Sequence, residues 1–329
     1  MKVFILGAGT WGTALGGVLH DNNHEIVLWH VEENIARDME LSRINPNLPD
    51  YRIPDEIKIT NEFDHIENSD IILITVPSQF IRDVIQKLPP TRKDAIFVFG
   101  SKGIENNSLL RISQVINQFS GISYDRIVAL SGPSHAEEVC VKLPTAVVSA
   151  SKNFHAARFV QKIFNNNFFR VYSSNDIVGV EIGGAVKNVI AIAAGICDGV
   201  GYGHNTTAAL ITRGLAEITR LGVSLGGEKE TFFGLSGLGD LIVTANSSLS
   251  RNRYVGENIG KGKTLTEVLS SMNMIAEGVK TSQSVHDLVL RHGVEMPISE
   301  QIYAVLFDEK DPKKAINDLM TRAPIDEKF

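Results

Sequence analysis

Cysteine is scarce in this chain, and so are the residue patterns that bind metal ions. Only Cys140 and Cys197 occur among 329 residues, too few for the disulfide framework of a small secreted protein. A reducing cytoplasm is therefore the expected compartment. The nine histidines show neither H-x-x-x-H spacing nor a cysteine partner at metal-binding spacing, so the sequence predicts no metal site.

A surplus of basic charge is also missing. The chain has 32 Lys and Arg residues against 38 Asp and Glu, a formal net charge of −6, and a pI of about 5.9. The basic residues are spread along the chain rather than clustered. Proteins that bind the phosphates of nucleic acid need a basic face, so we expect no nucleic-acid partner.

Long hydrophobic runs are rare as well. Only four strongly apolar residues separate Lys2 from the first glycine, too few for the core of a secretory signal. The longest apolar stretch, Ile182–Cys197, has about 16 residues, whereas a membrane-spanning helix needs about 20. Lys187 and Asn188 interrupt it, and a lysine at mid-membrane costs about 2.5–3.5 kcal/mol. We therefore expect a helix buried in protein and no membrane span.

Apolar runs alternate with helical patterns in the first half of the chain. Continuous apolar segments are typical of strands buried on both faces of a parallel sheet. We predict such strands at Lys2–Leu6, His24–Trp29, Asp70–Val76, Ala95–Phe99, Arg126–Leu130, Thr145–Ser149 and Phe168–Val171. Residues 42–56, with three prolines, are expected to form a surface loop. The expected fold class is α/β, with an N-terminal Rossmann-like, doubly wound and mostly parallel sheet.

From Asp176 onward the strand patterns fade and helical periodicity takes over. Helices are predicted at 176–197, 205–222, 228–236, 250–260, 264–272, 277–292 and 297–307. The chain is also longer than one typical domain. We therefore predict a dinucleotide-binding domain over residues 1–175 and a mainly α-helical substrate and catalytic domain over residues 176–329.

The stretch GAGTWG follows the first strand directly. Gly7, Gly9 and Gly12 have the G-x-G-x-x-G spacing of a dinucleotide fingerprint, and the motif opens a helix as that fingerprint requires. Such glycines permit a tight turn, the approach of backbone to a pyrophosphate, and close packing of helix on strand. The helix N-terminus supplies N–H donors for the phosphates. We interpret the stretch as a nucleotide-binding loop; the alternative is a loop rich in small residues.

The residue that ends the second strand of such a sheet helps to select NAD or NADP. A carboxylate there binds the ribose diol, and its absence leaves room for a 2′-phosphate. The position is occupied by His30, with Glu32 and Glu33 just beyond it. His30 is compatible with either cofactor, and equally with a solvated strand-end residue, so the pattern leaves the choice open.

Lys187 is the only charged residue between Glu181 and Asp198. A lysine on an otherwise apolar helix must form a pair, reach solvent or take part in chemistry. Burial lowers the pKa of a lysine, which makes it a proton donor or acceptor near neutral pH. A structural lysine tied to carbonyl groups or to a carboxylate explains the pattern equally well.

Polar residues also accompany the glycine-rich stretch Gly234–Asn252. Asp240 could orient a lysine or bind a hydroxyl group, while Arg251 and Asn252 offer donors suited to a phosphate. Ser250 has the position of a helix N-cap. A capped loop with an exposed arginine is compatible with the same pattern.

Two loops follow strands of the first half, where the ligands of such sheets bind. Lys102 lies shortly after the strand that ends at Phe99. It could reach a cofactor or an anionic substrate, or be an exposed loop lysine. His135 lies in the second loop, which follows the strand predicted to end at Leu130. It is an acid–base candidate or a helix-start residue, and we do not assign it the proton transfer.

Taken together, these residues resemble the bacterial type of NAD(P)-dependent glycerol-3-phosphate dehydrogenase. The matching stretches are GAGTWGTALG, SKGIE, SGPSHAEEV, EIGGAVKNVIAIAAGICDGVGYGHNTTAALITRG, GLSGLGDLIVTANSSLSRN and AEGVKT. They extend from residue 7 to residue 281. The Lys-Asn pair within its apolar helix and the Ser-Arg-Asn triplet are far more discriminating than the glycine motif. Thr10 stands where the family often has serine, and both residues carry a hydroxyl group.

The resemblance implies reversible reduction of dihydroxyacetone phosphate to sn-glycerol 3-phosphate with NADH or NADPH, feeding glycerophospholipid synthesis. It implies that Lys187 donates and accepts the proton and that Asp240 positions it. Contacts with this small phosphorylated substrate are implied for Lys102, Gly132, Ser134, Lys187, Asp240, Ser250, Arg251 and Asn252. Cofactor contacts are implied for Gly7, Gly9, Thr10, Trp11, Gly12, His30, Lys102, Ala136, Arg251, Ile275 and Glu277. The family is cytoplasmic and commonly dimeric, so a homodimer is expected.

Two functions other than glycerol-3-phosphate dehydrogenase are alternatives for this sequence. A different two-domain dehydrogenase acting on a hydroxyacid or an opine would also suit the Lys-Asn helix, although the Ser-Arg-Asn triplet favours a small phosphorylated substrate. A non-catalytic NAD(P)-sensing protein would need no proton-transfer group. Lys187, Asp240 and Arg251 argue against that second alternative.

Overall fold

The computed structural model describes residues 1–272, 274–324, 326 and 327, and for Phe119 the backbone alone. The chain forms two compact units, of which unit 1 comprises Met1–Ser101 and Ile112–Ile177, and unit 2 comprises Lys102–Arg111 and Val178–Phe329. Chain order predicts a division at residue 175, but it cannot show that the short early segment Lys102–Arg111 groups with later residues. As a division into functional domains it stays a prediction.

The strands of unit 1 are mostly short, apolar and buried. They are β1 (Lys2–Leu6), β2 (Glu25–Trp29), β3 (Ile44–Asn45), β4 (Leu48–Arg52), β5 (Lys58–Thr60), β6 (Ile71–Ile74), β7 (Ile96–Phe99), β8 (Ile127–Ser131), β9 (Thr145–Ala150) and β10 (Phe169–Ser174). Eight of them form one sheet in the order β10-β9-β8-β7-β6-β1-β2-β5. Consecutive strand residues point to opposite faces, and every residue of β6 is buried, so both faces of the sheet are covered there.

The direction of the strands confirms the predicted mostly parallel sheet, with one exception. β1 pairs in parallel with β2 and with β6, whereas β8 and β9 are antiparallel, with Leu130 opposite Ser149. Apolar runs carry no information on strand direction, so the sequence could not show this reversal. β5 was not predicted from the sequence, because a strand of only 3 residues gives too short a hydrophobic pattern.

Helices connect the strands of unit 1. They are α1 (Thr10–Asp21), α2 (Glu33–Ser42), α3 (Ile81–Gln86), α4 (Ile112–Ser120), α5 (Ala136–Cys140) and α6 (Phe154–Phe164). The segment 42–56, predicted as a surface loop, contains the small antiparallel pair β3–β4. Its Asn45 is 1% exposed, so this part of the segment lies inside unit 1.

Unit 2 is helical, as predicted. Its α-helices are α7 (Ile177–Val200, whose first residue is assigned to unit 1), α8 (His204–Ser224), α9 (Asp240–Asn246), α10 (Arg251–Gly260), α11 (Leu265–Ser270), α12 (Glu277–His292), α13 (Pro297–Phe307) and α14 (Pro312–Met320). The helix predicted over 228–236 is wrong: the chain forms a 3₁₀ turn over Lys229–Phe233 and a π-helical turn over Leu235–Gly239. Hydrophobic periodicity over so few residues does not distinguish these turns from an α-helix.

α7 forms the centre of unit 2. Among the described residues it is the one helix with the length and composition of a membrane span, at 24 residues, yet 94% of its most apolar stretch is buried inside the protein. The sequence estimate of about 16 residues was too short, since the helix continues past both ends of the apolar run. Burial, rather than length, marks it as a core helix.

Glycines bring α7 and α10 into backbone contact. A Cβ atom at Gly195 would overlap the carbonyl oxygen of Arg253, and one at Gly256 would overlap that of Ile192. Gly260 has the same relation to Ile196, with 2.5 Å between its Cβ position and the carbonyl oxygen. Close approach of the two helices therefore depends on the missing side chains, and it brings the start of α10 to the part of α7 that carries the polar residues.

Candidate active site

A buried carboxylate in unit 2 joins two lysines that are far apart in sequence. The Lys187 Nζ lies 2.9 Å from Asp240 Oδ1, and the Lys102 Nζ lies 2.6 Å from Asp240 Oδ2. Lys187 is 5% exposed and Asp240 is 1% exposed. Two positive charges face one negative charge, so this cluster has a net charge of +1 and suits an anionic ligand.

Burial and charge set the protonation of the cluster. Burial, helped by the positive charges of Lys102 and Arg251, lowers the pKa of Lys187 to about 8 against the opposing effect of Asp240. Burial alone would raise the pKa of Asp240, but the charges and hydrogen bonds of Lys102 and Lys187 outweigh it and hold that pKa below its usual range. The lysine is thus able to exchange a proton near neutral pH while the carboxylate stays ionised.

Thr244 fixes the direction of the Lys187 ammonium group. Lys187 donates to Thr244 Oγ1 at 2.6 Å, and the threonine hydroxyl donates to the main-chain carbonyl of Asp240 at 2.6 Å. An ammonium group has three hydrogens, of which Asp240 and Thr244 accept two. Among the described residues no third acceptor bonds the remaining hydrogen. Thr244 was not singled out in the sequence, although it lies four residues after Asp240 and therefore on the same face of α9.

The start of α10 is tied to the segment before α12. Arg251 Nη1 donates to the carbonyl of Ile275 at 3.1 Å. Asn252 Nδ2 donates to Asn188 Oδ1 at 2.9 Å, and Asn252 Oδ1 accepts from the Gly278 N–H at 2.9 Å. Ser250 caps α10 by accepting from the Arg253 N–H, as predicted. Unit 2 therefore brings the predicted substrate residues Arg251 and Asn252 next to the predicted cofactor residue Ile275.

The glycine motif of unit 1 has the geometry expected of a nucleotide loop. Gly7 has φ +109°, and a Cβ atom there would lie 2.8 Å from the Val76 nitrogen. A Cβ atom at Gly12 would overlap the Gly7 carbonyl oxygen, whereas one at Gly9 would meet no atom within 4 Å. Gly9 is the N-cap of α1 and no side chain of the described residues caps this helix. The Cβ position of Gly9, at the uncapped start of α1, thus lies in open space.

The other predicted residues of unit 1 lie at the ends of further strands. His30 follows β2, and its Nδ1 accepts from the Glu32 N–H at 3.0 Å. Gly132 follows β8, with φ +145°, and its carbonyl accepts from Ser134 Oγ at 3.0 Å. Ala136 is the first residue of α5. His30 and Gly132 directly follow strands of the same sheet, and the binding roles of these residues stay predictions. Within the described residues no group of three or more His, Cys, Asp or Glu side chains could hold a metal ion.

Comparison with known proteins decides the family. Residues 2–157 match the family described as NAD-dependent glycerol-3-phosphate dehydrogenase N-terminus, and residues 176–317 match the corresponding C-terminus. The chain is 47% identical to glycerol-3-phosphate dehydrogenase [NAD(P)+] of Syntrophotalea carbinolica over 327 residues, covering 98% of each chain. The chain belongs to the NAD-dependent glycerol-3-phosphate dehydrogenase family.

Two further relatives agree with this assignment. Glycerol-3-phosphate dehydrogenase [NAD(P)+] 1 of Salinibacter ruber is 49% identical over 326 residues, covering 98% of this chain and 96% of that one. The crystal structure of glycerol-3-phosphate dehydrogenase from Coxiella burnetii superposes with a TM-score of 0.93 at 38% identity, covering 98% and 99% of the two chains. The predicted family, the enzyme class and the NAD(P) cofactor are thereby confirmed.

The nucleotide loop of this dehydrogenase is held by residues that the sequence reading missed. Thr75 Oγ1, at the end of β6, donates to the Gly7 carbonyl at 2.8 Å. The buried Asn45 has its Nδ2 3.1 Å from the Ala8 carbonyl and 2.8 Å from Thr13 Oγ1. Pairing of β1 with β6 could have suggested Thr75, but nothing in the sequence links Asn45 to the loop. The held loop and the space at Gly9 fit a dinucleotide pyrophosphate.

Proposed function

We propose that this dehydrogenase reversibly reduces dihydroxyacetone phosphate to sn-glycerol 3-phosphate with NADH or NADPH. The observation that carries the proposal is the buried Lys187, paired with Asp240 and hydrogen bonded to Thr244. A protein that merely bound NAD(P) would not need a desolvated ammonium group of lowered pKa. The resemblance of the chain to this family over nearly its full length supports the choice of substrate.

In this proposal Lys187 exchanges the proton with the C2 oxygen of the substrate. NADH or NADPH, when bound, supplies the hydride that goes to the carbonyl carbon. Negative charge then develops on the carbonyl oxygen, and the third hydrogen of the Lys187 ammonium stabilises and protonates it. In the reverse direction the neutral amine accepts the hydroxyl proton. Asp240 and Thr244 hold the Nζ so that its remaining hydrogen keeps one direction.

The positive charges of unit 2 account for the phosphate of the substrate. Arg251 offers a planar set of donors and Lys102 an ammonium group, both of which suit a phosphate dianion. Ser250 keeps its hydroxyl hydrogen after capping α10, and Asn252 keeps one amide hydrogen after bonding Asn188. We propose that these donors hold the substrate, and that Gly132 and Ser134 contribute further contacts, as the resemblance implies. Phosphate binding away from the reacting carbon supplies alignment.

For the cofactor we propose contacts with Gly7, Gly9, Thr10, Trp11, Gly12, His30, Lys102, Ala136, Arg251, Ile275 and Glu277. The pyrophosphate would bind at the start of α1, where Gly9 leaves space. His30 takes the position at which a carboxylate would favour NAD. An imidazole ring there accepts either cofactor, so we propose activity with both.

We further propose that the enzyme acts in the cytoplasm as a homodimer and supplies glycerol 3-phosphate for phospholipid synthesis. Family membership and the low cysteine count support these statements.

The test is the oxidation of NADH and of NADPH by the purified protein with dihydroxyacetone phosphate. Turnover that requires the phosphate, with dihydroxyacetone as the unphosphorylated control, is the expected result. The ratio of the rates with NADH and with NADPH gives the cofactor preference of an enzyme with histidine at position 30. A folded protein that binds the cofactor but turns over only hydroxyacids or opines would overturn the proposal, and one that turns over nothing would support a sensing protein instead.

A further inference from the structure

Residues Lys102–Arg111, which we call the strap, fold as a closed loop that belongs to unit 2 although the chain on either side belongs to unit 1. A β-bridge joins Ile104 to Arg111, and the Glu105 N–H donates to the Leu110 carbonyl at 3.0 Å. Ile104 is 1% exposed and is part of the core of unit 2. Lys102 therefore stands only two residues before a segment whose position is fixed.

Two residues of α12, Ser284 and Gln283, form polar contacts with the strap. The Ser284 Oγ lies 2.5 Å from Asn106 Oδ1 and 3.1 Å from the Ile104 carbonyl oxygen, so its hydrogen is donated to the strap. Asn106 Nδ2 donates to Gln283 Oε1 at 3.0 Å. Ser284 is fully buried, so a hydroxyl at this position is costly to leave without an acceptor.

The other end of the strap is joined to α7. Arg111 forms an ion pair with Glu181, which is 7% exposed. Glu181 lies six residues before Lys187 on the same helix. The strap thus spans from α12 to α7 and presents Lys102 to Asp240 on α9.

We propose that Ser284, Asn106 and the Arg111–Glu181 pair are positioning residues of the active site, because they hold the strap so that Lys102 stays bonded to Asp240. This inference rests on the proposed role of Lys187. None of these residues touches the reacting atoms; they act through Lys102. Lys102 in turn shares the carboxylate of Asp240 with Lys187, so its position determines how much negative charge Lys187 faces.

The consequence is a specific link between the strap and the protonation of Lys187. The charged groups that act on Lys187 are Asp240 on α9, Lys102 on the strap and Arg251 on α10. When Lys102 leaves Asp240, the ammonium form of Lys187 loses a positive neighbour and gains the whole carboxylate. Its pKa then rises, and the pH at which reduction loses its acid rises with it.

The experiment compares Ser284→Ala with Ser282→Ala, a matched control two residues earlier on α12. Both serines are buried, but the Ser282 hydroxyl donates to the Gly278 carbonyl within its own helix. We expect Ser284→Ala to lower kcat for dihydroxyacetone phosphate by about tenfold, equivalent to about 1.4 kcal/mol, and to move the alkaline limb of the pH profile to higher pH. Ser282→Ala should change neither.

A double-mutant cycle with Lys102→Met shows whether the serine acts through the lysine. If it does, Ser284→Ala adds no further loss and no further pH shift in the Lys102→Met background. Full additivity of the two variants would overturn the proposal, as would a Ser284→Ala enzyme that matches Ser282→Ala. Should Ser284→Ala fail to fold, Asn106→Ala, at a half-buried side chain, provides the same comparison.

The unaltered enzyme separates this inference from the proposed function. Absence of turnover by the unaltered chain would contradict the proposed function and, with it, the inference. Turnover that depends on Lys187 but not on Ser284 or Asn106 would contradict the inference alone.

Discussion

The two units differ in the groups that form their predicted binding sites, which are backbone groups in unit 1 and charged side chains in unit 2. In unit 1 the nucleotide loop consists of backbone: Gly7 and Gly12 have no room for a side chain, and Gly9 faces open space. In unit 2 the proposed catalytic site consists of buried charged side chains, Lys102, Lys187 and Asp240. A phosphate held by backbone N–H groups needs close approach, whereas proton transfer needs an ionisable group removed from water.

Glycine shows the same contrast. The position that a Cβ atom would take at Gly9 in unit 1 is open. At Gly256 in unit 2 that position is occupied by the Ile192 carbonyl of the neighbouring helix. The same residue type therefore serves helix packing in unit 2 and, in the proposed function, ligand approach in unit 1. Substitutions that separate these roles test the comparison.

Replacing the charged centre of unit 2 should have the largest effect. Lys187→Met keeps much of the side-chain volume but removes the proton donor, and general acid–base groups contribute about 10²–10⁴-fold. We expect kcat to fall by that factor while the Kd for NADH, measured by fluorescence, stays the same. Lys313→Met, at an exposed position of α14, is the control. A Lys187→Met enzyme with unchanged kcat would remove this residue from the mechanism.

A methyl group between the packed helices should chiefly affect stability. Gly256→Ala places a Cβ against the Ile192 carbonyl, and overpacking of this kind costs about 1–3 kcal/mol. We expect a lower free energy of unfolding in urea, with activity reduced only as far as α10 shifts. Unchanged stability would show that the two helices can move apart without cost.

The corresponding methyl group in the nucleotide loop should affect binding and not folding. A Cβ at Gly9 meets no protein atom within 4 Å, and its backbone, at φ −76°, suits any residue. We expect Gly9→Ala to unfold at the same urea concentration as the unaltered chain and to bind NADH about tenfold more weakly, by about 1.4 kcal/mol. Wild-type NADH affinity would show that the pyrophosphate does not approach this point.

The difference between the units also explains what the sequence could reveal. The glycine loop is local, so its spacing after an apolar strand predicts both its fold and its ligand. Lys187 was conspicuous because a single charge interrupts an apolar helix. The resemblance paired Asp240 with Lys187, but nothing in the spacing showed that Lys102 bonds the same carboxylate from 138 residues away.

The positions missed in the sequence depend on tertiary contacts. Asn45 holds the nucleotide loop from a segment that looked like solvent-exposed loop, and Ser284 holds the strap from the middle of a helix. Polar residues such as these are common on surfaces, and only burial distinguishes them. The reversal between β8 and β9 has the same origin, because strand direction follows from chain connections rather than from apolar runs.

The pH dependence of the two reaction directions tests the central claim most directly. With the pKa of Lys187 lowered to about 8, the ammonium needed for reduction is lost above that pH and the amine needed for oxidation is gained. Measured from about pH 7, where the substrate phosphate stays mostly dianionic because its second pKa is near 6, kcat/KM for reduction should fall through about 8. For glycerol 3-phosphate oxidation it should rise through the same value. Proton transfer by this lysine would be contradicted if kcat/KM for both reactions changed in the same direction with pH. It would also be contradicted if Lys187→Met left the two pH profiles unchanged.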